Sequence, residues 1–260
     1  MWLANVDGVI GPAEEARIPV TDEGLTRGDG AFEVLRLYAG RPYAMEDHLA
    51  RLARSCAGLR LPVDIAVVRA ELEALLAAAG PVDALLRVVL TRGGRRIAIV
   101  EPLPALAPTA RVATITYAPG RILDGLKTLS YAANMLATRL AQERGFDEAL
   151  LVTPHGRVLE GPTWSFFWVR DGELLTPPLE DRILASITRA RVIEECDASE
   201  EPCTLADMRG AQEAFIASTV REIMPIAAID ELQLPAPGPV TLQAREALAQ
   251  RIERDLGARV

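Results

Sequence analysis

Gly28-Asp29-Gly30-Ala31-Phe32-Glu33-Val34-Leu35-Arg36-Leu37-Tyr38 is the stretch on which the fold turns. Two glycines one residue apart suggest a dinucleotide fingerprint. The third glycine is missing, however, and the residues that follow alternate apolar and polar, the period of a strand rather than of a helix. Ala39-Gly40-Arg41-Pro42 turns that strand. Apolar residues at helical spacing (Leu49, Leu52, Ala53, Cys56, Leu59) then predict a helix over 46–59, and a second helix follows over 65–79. Strands are predicted over 85–91, 96–100 and 111–117, separated by Gly93-Gly94 and by a proline-rich stretch from Pro102 to Pro108.

Tyr117-Ala118-Pro119-Gly120 is the strongest break in the chain. It predicts a small N-terminal domain over 1–116, an interdomain loop over 117–123 and a larger domain over 124–260. In the larger part a helix over 131–144 is stopped by Gly145. Strands follow over 148–153, 157–160, 166–170 and 174–176, with Asp171-Gly172 as a hairpin turn between the last two. Ser186 reads as the N-cap of a helix over 187–196. A strand over 214–218 and a helix over 240–256 complete the pattern. Strand clusters mixed with helices describe two α+β domains, not an alternating doubly wound sheet.

The 260 residues are half apolar and carry a net charge of −8. That length and apolar content suffice for a substantial core and exclude a disordered chain. The acidic balance argues against general nucleic-acid binding. No apolar stretch reaches the ~20 residues of a membrane span, and Met1-Trp2-Leu3-Ala4-Asn5-Val6-Asp7 lacks the pattern of a secretory signal. Three cysteines without a CxxC pair point to a reduced, cytoplasmic setting. His48 and His155 have no metal-ligand spacing and read as structural or surface residues; no metal site is expected. Of 28 basic residues only one, Lys127, is a lysine. Arginine cannot be deprotonated to attack a carbonyl, whereas lysine can, so the one lysine is a candidate for chemistry that arginine cannot perform.

A series of motifs in fixed order covers nearly the whole chain. It runs from Gly28-Asp29-Gly30-Ala31-Phe32-Glu33 through His48-Leu49-x-Arg51-Leu52 and Thr91-Arg92-Gly93 to Lys127-Thr128-Leu129-Ser130-Tyr131-x-x-Asn134. Gly145-Phe146-Asp147-Glu148-Ala149-Leu150-Leu151 and Val158-Leu159-Glu160-Gly161 come next. Thr176-Pro177-Pro178-Leu179, Ile187-Thr188-Arg189 and Ser218-Thr219-x-x-Glu222-Ile223-x-Pro225 close it. In this order and spacing the chain resembles the class IV aminotransferases, the fold-type IV enzymes that use pyridoxal 5′-phosphate (PLP). They include D-amino-acid transaminases, branched-chain transaminases and aminodeoxychorismate lyases.

The resemblance implies a small N-terminal α+β domain and a larger cofactor-binding domain with a barrel-like sheet. It makes Lys127 the Schiff-base and catalytic lysine, and Glu160 the carboxylate facing the pyridine nitrogen, where an anion keeps that nitrogen protonated. Arg51 matches the phosphate arginine. Ser186, Ile187 and Thr188 match a helix N-terminus set against the same phosphate, with Ser186 replacing the usual glycine. Thr219, beside Ser218, adds a hydroxyl there; Tyr131 donates to the cofactor's phenolic oxygen, and Leu184 packs on its ring. Phe32, Val34, Arg36 and Arg87 fall at pocket-lining positions. An arginine of the loop after Thr91-Arg92-Gly93, Arg95 or Arg96, or backbone amides up to Val220, would meet the substrate carboxylate; the histidine that D-amino-acid transaminases carry in that loop is absent. The implied activity is transamination between an amino acid, foremost a D-amino acid, and a 2-oxo acid such as 2-oxoglutarate or pyruvate, in a homodimer. Aminodeoxychorismate lyase and branched-chain L-amino-acid transaminase are the alternatives.

Overall fold

The computed structural model describes residues 2–118 and 120–257; Pro119, part of the predicted interdomain turn, lies outside them. The described residues form two compact units. The first holds β1 (Leu3–Val6), β2 (Val9–Pro12), α1 (Glu23–Arg27), β3 (Gly30–Tyr38), β4 (Arg41–Pro42), α2 (Met45–Gly58), α3 (Ile65–Ala79), β5 (Ala84–Thr91) and β6 (Arg96–Pro102). Its six strands lie in the order β2-β1-β6-β5-β3-β4, every neighbour antiparallel. Alternation along the strands sends Ala31, Leu35 and Leu37 of β3 and Leu86, Val88 and Leu90 of β5 to one face. There they bury against Leu49, Leu52 and Cys56 of α2 and Leu72 and Leu75 of α3. The same period turns Phe32, Val34 and Arg36 to the opposite face, together with Arg87, which pairs across from Val34.

The second unit holds β7 (Ala110–Thr116), α4 (Ala132–Glu143), β8 (Glu148–Val152), β9 (Arg157–Val158), β10 (Ser165–Arg170) and β11 (Glu173–Thr176). It continues with α5 (Ile187–Cys196), β12 (Ser199–Glu200), β13 (Cys203–Thr204), β14 (Glu213–Ser218), β15 (Glu222–Ile229), β16 (Leu232–Gln233) and most of α6 (Pro239–Asp255). Its strands run β12-β11-β10-β14-β15-β7-β8-β9-β13, with β16 beside β15. Leu175 from one end of that order and Val158 and Cys203 from the other bury in a single cluster with Leu150, Phe166, Trp168 and Ile216. The sheet therefore curls on itself, as the barrel-like expectation requires.

The domain boundary needs correction. β7, predicted as the end of the first domain, pairs in the second sheet, parallel to both β8 and β15, so the second unit begins at Ala105. Residues 126–131, predicted in the larger domain, belong to the first unit: Leu129 donates its N–H to the Gly30 carbonyl at 2.9 Å, Phe32 donates to the Lys127 carbonyl at 3.2 Å, and Thr128 bridges Ala31. A turn cluster marks where the chain bends, and these pairings show where its packing changes. β15 is an unpredicted strand because Pro225 sits inside it. β7 pairs with it only from Ile226 onward, so the proline stands past the end of that ladder.

The pairing of the lysine segment with the start of β3 depends on Gly30. A Cβ there would lie 2.3 Å from the Leu90 carbonyl oxygen and 2.6 Å from Leu129 Cδ1. Gly30→Ala should therefore cost about 1–3 kcal/mol, read as a lowered melting temperature; an unchanged melt would show that the segment yields freely.

Candidate active site

Glu33 lies on the core-facing side of β3, where an unpaired carboxylate would be costly. It is 1 % exposed. Two residues one helical turn apart on the buried face of α2 meet it. Arg51 donates from Nε to Oε1 at 2.7 Å and from Nη2 to Oε2 at 2.8 Å, and His48 Nδ1 lies 2.7 Å from Oε2. Burial alone would raise the Glu33 carboxyl, but the hydrogen bonds from Arg51 and His48 bring it down to about 2. Burial likewise holds His48 below its ordinary value, against the pull of Glu33. The cluster is therefore an ionised Glu–Arg pair with a neutral imidazole, and it fixes the guanidinium of Arg51 along one edge.

Lys127 belongs to the segment that pairs along the edge of β3, and its side chain reaches over Phe32 on the face opposite Glu33. Its Nζ is 4.4 Å from the centre of the Phe32 ring and 5.7 Å from that of Tyr131, and those two rings meet edge to face at 5.2 Å. Its backbone N–H donates to Ser55 Oγ of α2 at 3.1 Å. The first unit thus brings Lys127, Phe32 and Tyr131 together and sets Val34, Arg36 and Arg87 on the same face. Glu101 takes Arg87 in a two-pronged pair at 2.6 and 2.9 Å. The loop arginines are likewise engaged within this unit: Arg95 with Asp7 at 2.7 Å and Arg96 with Glu71 at 2.8 Å. The turn before them is fastened by Thr91 Oγ1 donating to the buried Asp22 and by Arg92 pairing with Asp29.

In the second unit, Glu160 Oε1 accepts the Leu184 N–H at 2.9 Å, so two of the predicted residues meet directly. Ser186 caps α5, its hydroxyl accepting the Arg189 N–H at 3.2 Å. A serine in place of glycine thereby closes the third N–H of the helix, and the first turn still presents those of Ile187 and Thr188. Ser218 ends β14, and Thr219 and Val220 form the turn that leads into β15. The thiols of Cys56 and Cys203 are pushed up by burial to about 11 and about 12, which removes both as nucleophiles near neutral pH.

The Glu33–His48 half of the buried cluster is absent from the sequence reading of the site. Its signal was present: an acid in phase with Ala31, Leu35 and Leu37, and two polar residues at i and i+3 on the apolar stripe of a helix. An exposed strand and helix would show the same letters, and only the pairing of both buried faces distinguishes the two.

Residues 30–229 match the family model for amino-transferase class IV. A putative branched-chain-amino-acid aminotransferase of Methanocaldococcus jannaschii is 34 % identical, covering 84 % of each chain. The D-alanine aminotransferase of Bacillus licheniformis is 29 % identical over 92 % of this chain and 93 % of its own. A hypothetical aminotransferase of Mycobacterium tuberculosis, solved in a PLP-bound form and with α-ketoglutarate and PMP, superposes with TM-scores of 0.89 and 0.90. Its identities are 25 and 26 %, over 97 % of this chain and 99 % of that one. The chain belongs to the class IV aminotransferases.

The buried cluster sets a pH dependence. Glu33 is depressed to about 2 from 4.5, so its contribution is present above pH 4.5 and is lost as pH falls toward 2. His48 is depressed from 6.5, so protonation favours the unfolded chain as pH drops through 6.5. Both signs agree, and urea melts should show stability declining on acidification below pH 6.5. Glu33→Gln, which leaves Arg51 buried without its anion, should cost roughly 3–5 kcal/mol at neutral pH and remove the lower-pH part of the slope.

Proposed function

We propose that this class IV aminotransferase moves the amino group of a D-amino acid to a 2-oxo acid, with PLP bound through Lys127. The observation that carries this reading is the sole lysine of the chain held against the Phe32 and Tyr131 rings. Its amine sits beside aromatic faces, a setting that suits the attachment of an aldehyde-bearing aromatic ring.

The donor set fits the cofactor. PLP carries an aldehyde, a dianionic phosphate and a protonatable ring nitrogen, and the chain offers one group of matching chemistry for each. Lys127 supplies the amine. Arg51, the N-terminus of α5 at Ser186, Ile187 and Thr188, and the Ser218–Thr219 turn supply phosphate donors. Glu160, oriented by the Leu184 N–H, supplies the anion that holds a proton on the ring nitrogen. When bound, PLP provides an electron sink for the carbanion at the substrate Cα. The Lys127 amine would take the proton from the substrate Cα as base and deliver it to the former aldehyde carbon of the cofactor as acid. Tyr131 would donate to the phenolic oxygen and Leu184 would cover the ring.

Phe32, Val34, Arg36, Arg87 and the Val220 amide would line the substrate side, with Arg95 and Arg96 as loop candidates for the carboxylate. Glu101 already neutralises Arg87, which favours substrates without a second carboxylate at that position. Similarity to D-alanine aminotransferases supports the D-series donor. Three cysteines without a disulfide among the described residues agree with a reduced, cytoplasmic setting, and no described helix is long and apolar enough to cross a membrane. We further propose a homodimer; the exposed Ile122, Leu136 and Leu140 give the second unit an apolar surface suited to a partner.

A donor screen tests the reading. D-alanine with 2-oxoglutarate should yield pyruvate faster than L-alanine does, and faster than L-leucine yields its own 2-oxo acid, and borohydride should attach a pyridoxyl label to Lys127. Lys127→Ala should keep the fold and lose the label and the turnover. Release of 4-aminobenzoate from aminodeoxychorismate without any transamination would replace this reading with the lyase.

A further inference from the structure

Glu148 opens β8 on the inner side of the curled sheet, in phase with the buried Leu150 and Val152, and is itself 8 % exposed. A carboxylate at such a place is tolerated only with both oxygens satisfied, and both are. Oε1 receives Nη2 of Arg221, and Oε2 receives the indole N–H of Trp164 at 3.1 Å.

Each partner leads to a different turn of the candidate site. Arg221 belongs to the turn that carries Thr219 and Val220, and its backbone N–H donates to Ser218 Oγ at 3.1 Å. That turn ends on Glu222 with a φ of 52°, a left-handed conformation costly for a residue with a Cβ, so it needs an external hold. Trp164 leads to the turn after Glu160. The Gly161 N–H donates to the Trp164 carbonyl at 2.8 Å, and a Cβ on Gly161 would lie 1.9 Å from the indole. Only glycine lets the indole lie on the backbone that follows Glu160.

We propose that Glu148 is a positioning residue that, through Arg221 and Trp164, holds the Ser218–Thr219 turn and the Glu160–Gly161 turn at a fixed separation, so that one rigid ligand can be gripped by its ring nitrogen and its phosphate together. This rests on the functional reading above. Nothing in Glu148 needs to touch cofactor or substrate. Its effect is on the rigidity of two loops whose small errors would otherwise weaken both grips.

The test measures binding apart from turnover. Apoprotein is titrated with PLP and with pyridoxal, which lacks the phosphate, following the absorbance of the bound chromophore. In the wild type, PLP should bind far more tightly than pyridoxal. In Glu148→Gln that advantage should shrink at least tenfold, with the circular-dichroism spectrum of the apoprotein unchanged. Arg221→Lys keeps the charge without the planar guanidinium that meets Glu148 Oε1 and should shrink it in the same direction; it carries the test if Glu148→Gln does not fold. The double variant should be no worse than the more affected single one, because both break one link. A lowered melting temperature with the PLP-to-pyridoxal ratio intact would make Glu148 merely structural and overturn the proposal alone. A wild-type protein that takes up no PLP would overturn the functional reading and this proposal with it.

Discussion

The buried pair of Glu33 and Arg51 is the constraint on which the first unit depends. A strand and a helix could pack through apolar residues alone, and here most of the interface does so. Placing a carboxylate and a guanidinium inside that interface adds little net stability, since desolvation offsets most of the attraction. What it adds is register. Leu35 and Leu37 could slide against α2 with a modest loss, but the two-pronged pairing at 2.7 and 2.8 Å tolerates no shift. His48 fills the remaining acceptor position as a neutral ring, which spares the carboxylate a second competing cation. The consequence is an arginine whose direction is fixed before any ligand arrives.

The same strand positions the reactive amine. Period-2 alternation turns Glu33 to the helices and Phe32 and Val34 away from them, and the segment bearing Lys127 pairs along the edge of β3 and lays its amine over the Phe32 ring. A cationic headgroup and a nucleophilic amine are thereby held by neighbouring residues of one strand without competing for each other's partners. Both Glu33 oxygens are taken by Arg51 and His48.

Much of this was legible in the residues. The helix over 65–79 and the N-capped helix over 187–196 coincide with α3 and α5, because their apolar spacing and end signals agree. Most strands were placed to within a residue or two. β15 was hidden by Pro225, whose place in the ladder depends on where β7 begins. The domain boundary failed for a related reason. Local composition records turns, whereas the assignment of β7 and of residues 126–131 is decided by pairing with strands far away in sequence. At the candidate site, the lysine stood out by its rarity. The buried acid and imidazole did not, because burial is a property of the fold and not of the letter.

Composition and geometry meet in the division of basic residues. A chain that uses arginine wherever it needs a fixed positive charge can build pairs such as Arg51–Glu33, Arg87–Glu101 and Arg96–Glu71 without risk of losing the proton. None of those guanidiniums can act as a nucleophile, so the reactive amine has no side-chain rival for an aldehyde. Selectivity of attachment then needs no elaborate pocket around each competing amine, since side-chain competitors are absent from the sequence. The surroundings of Lys127 are free to be shaped by what the amine must do after attachment, and the Phe32 and Tyr131 rings beside it give an aromatic ligand faces to lie against.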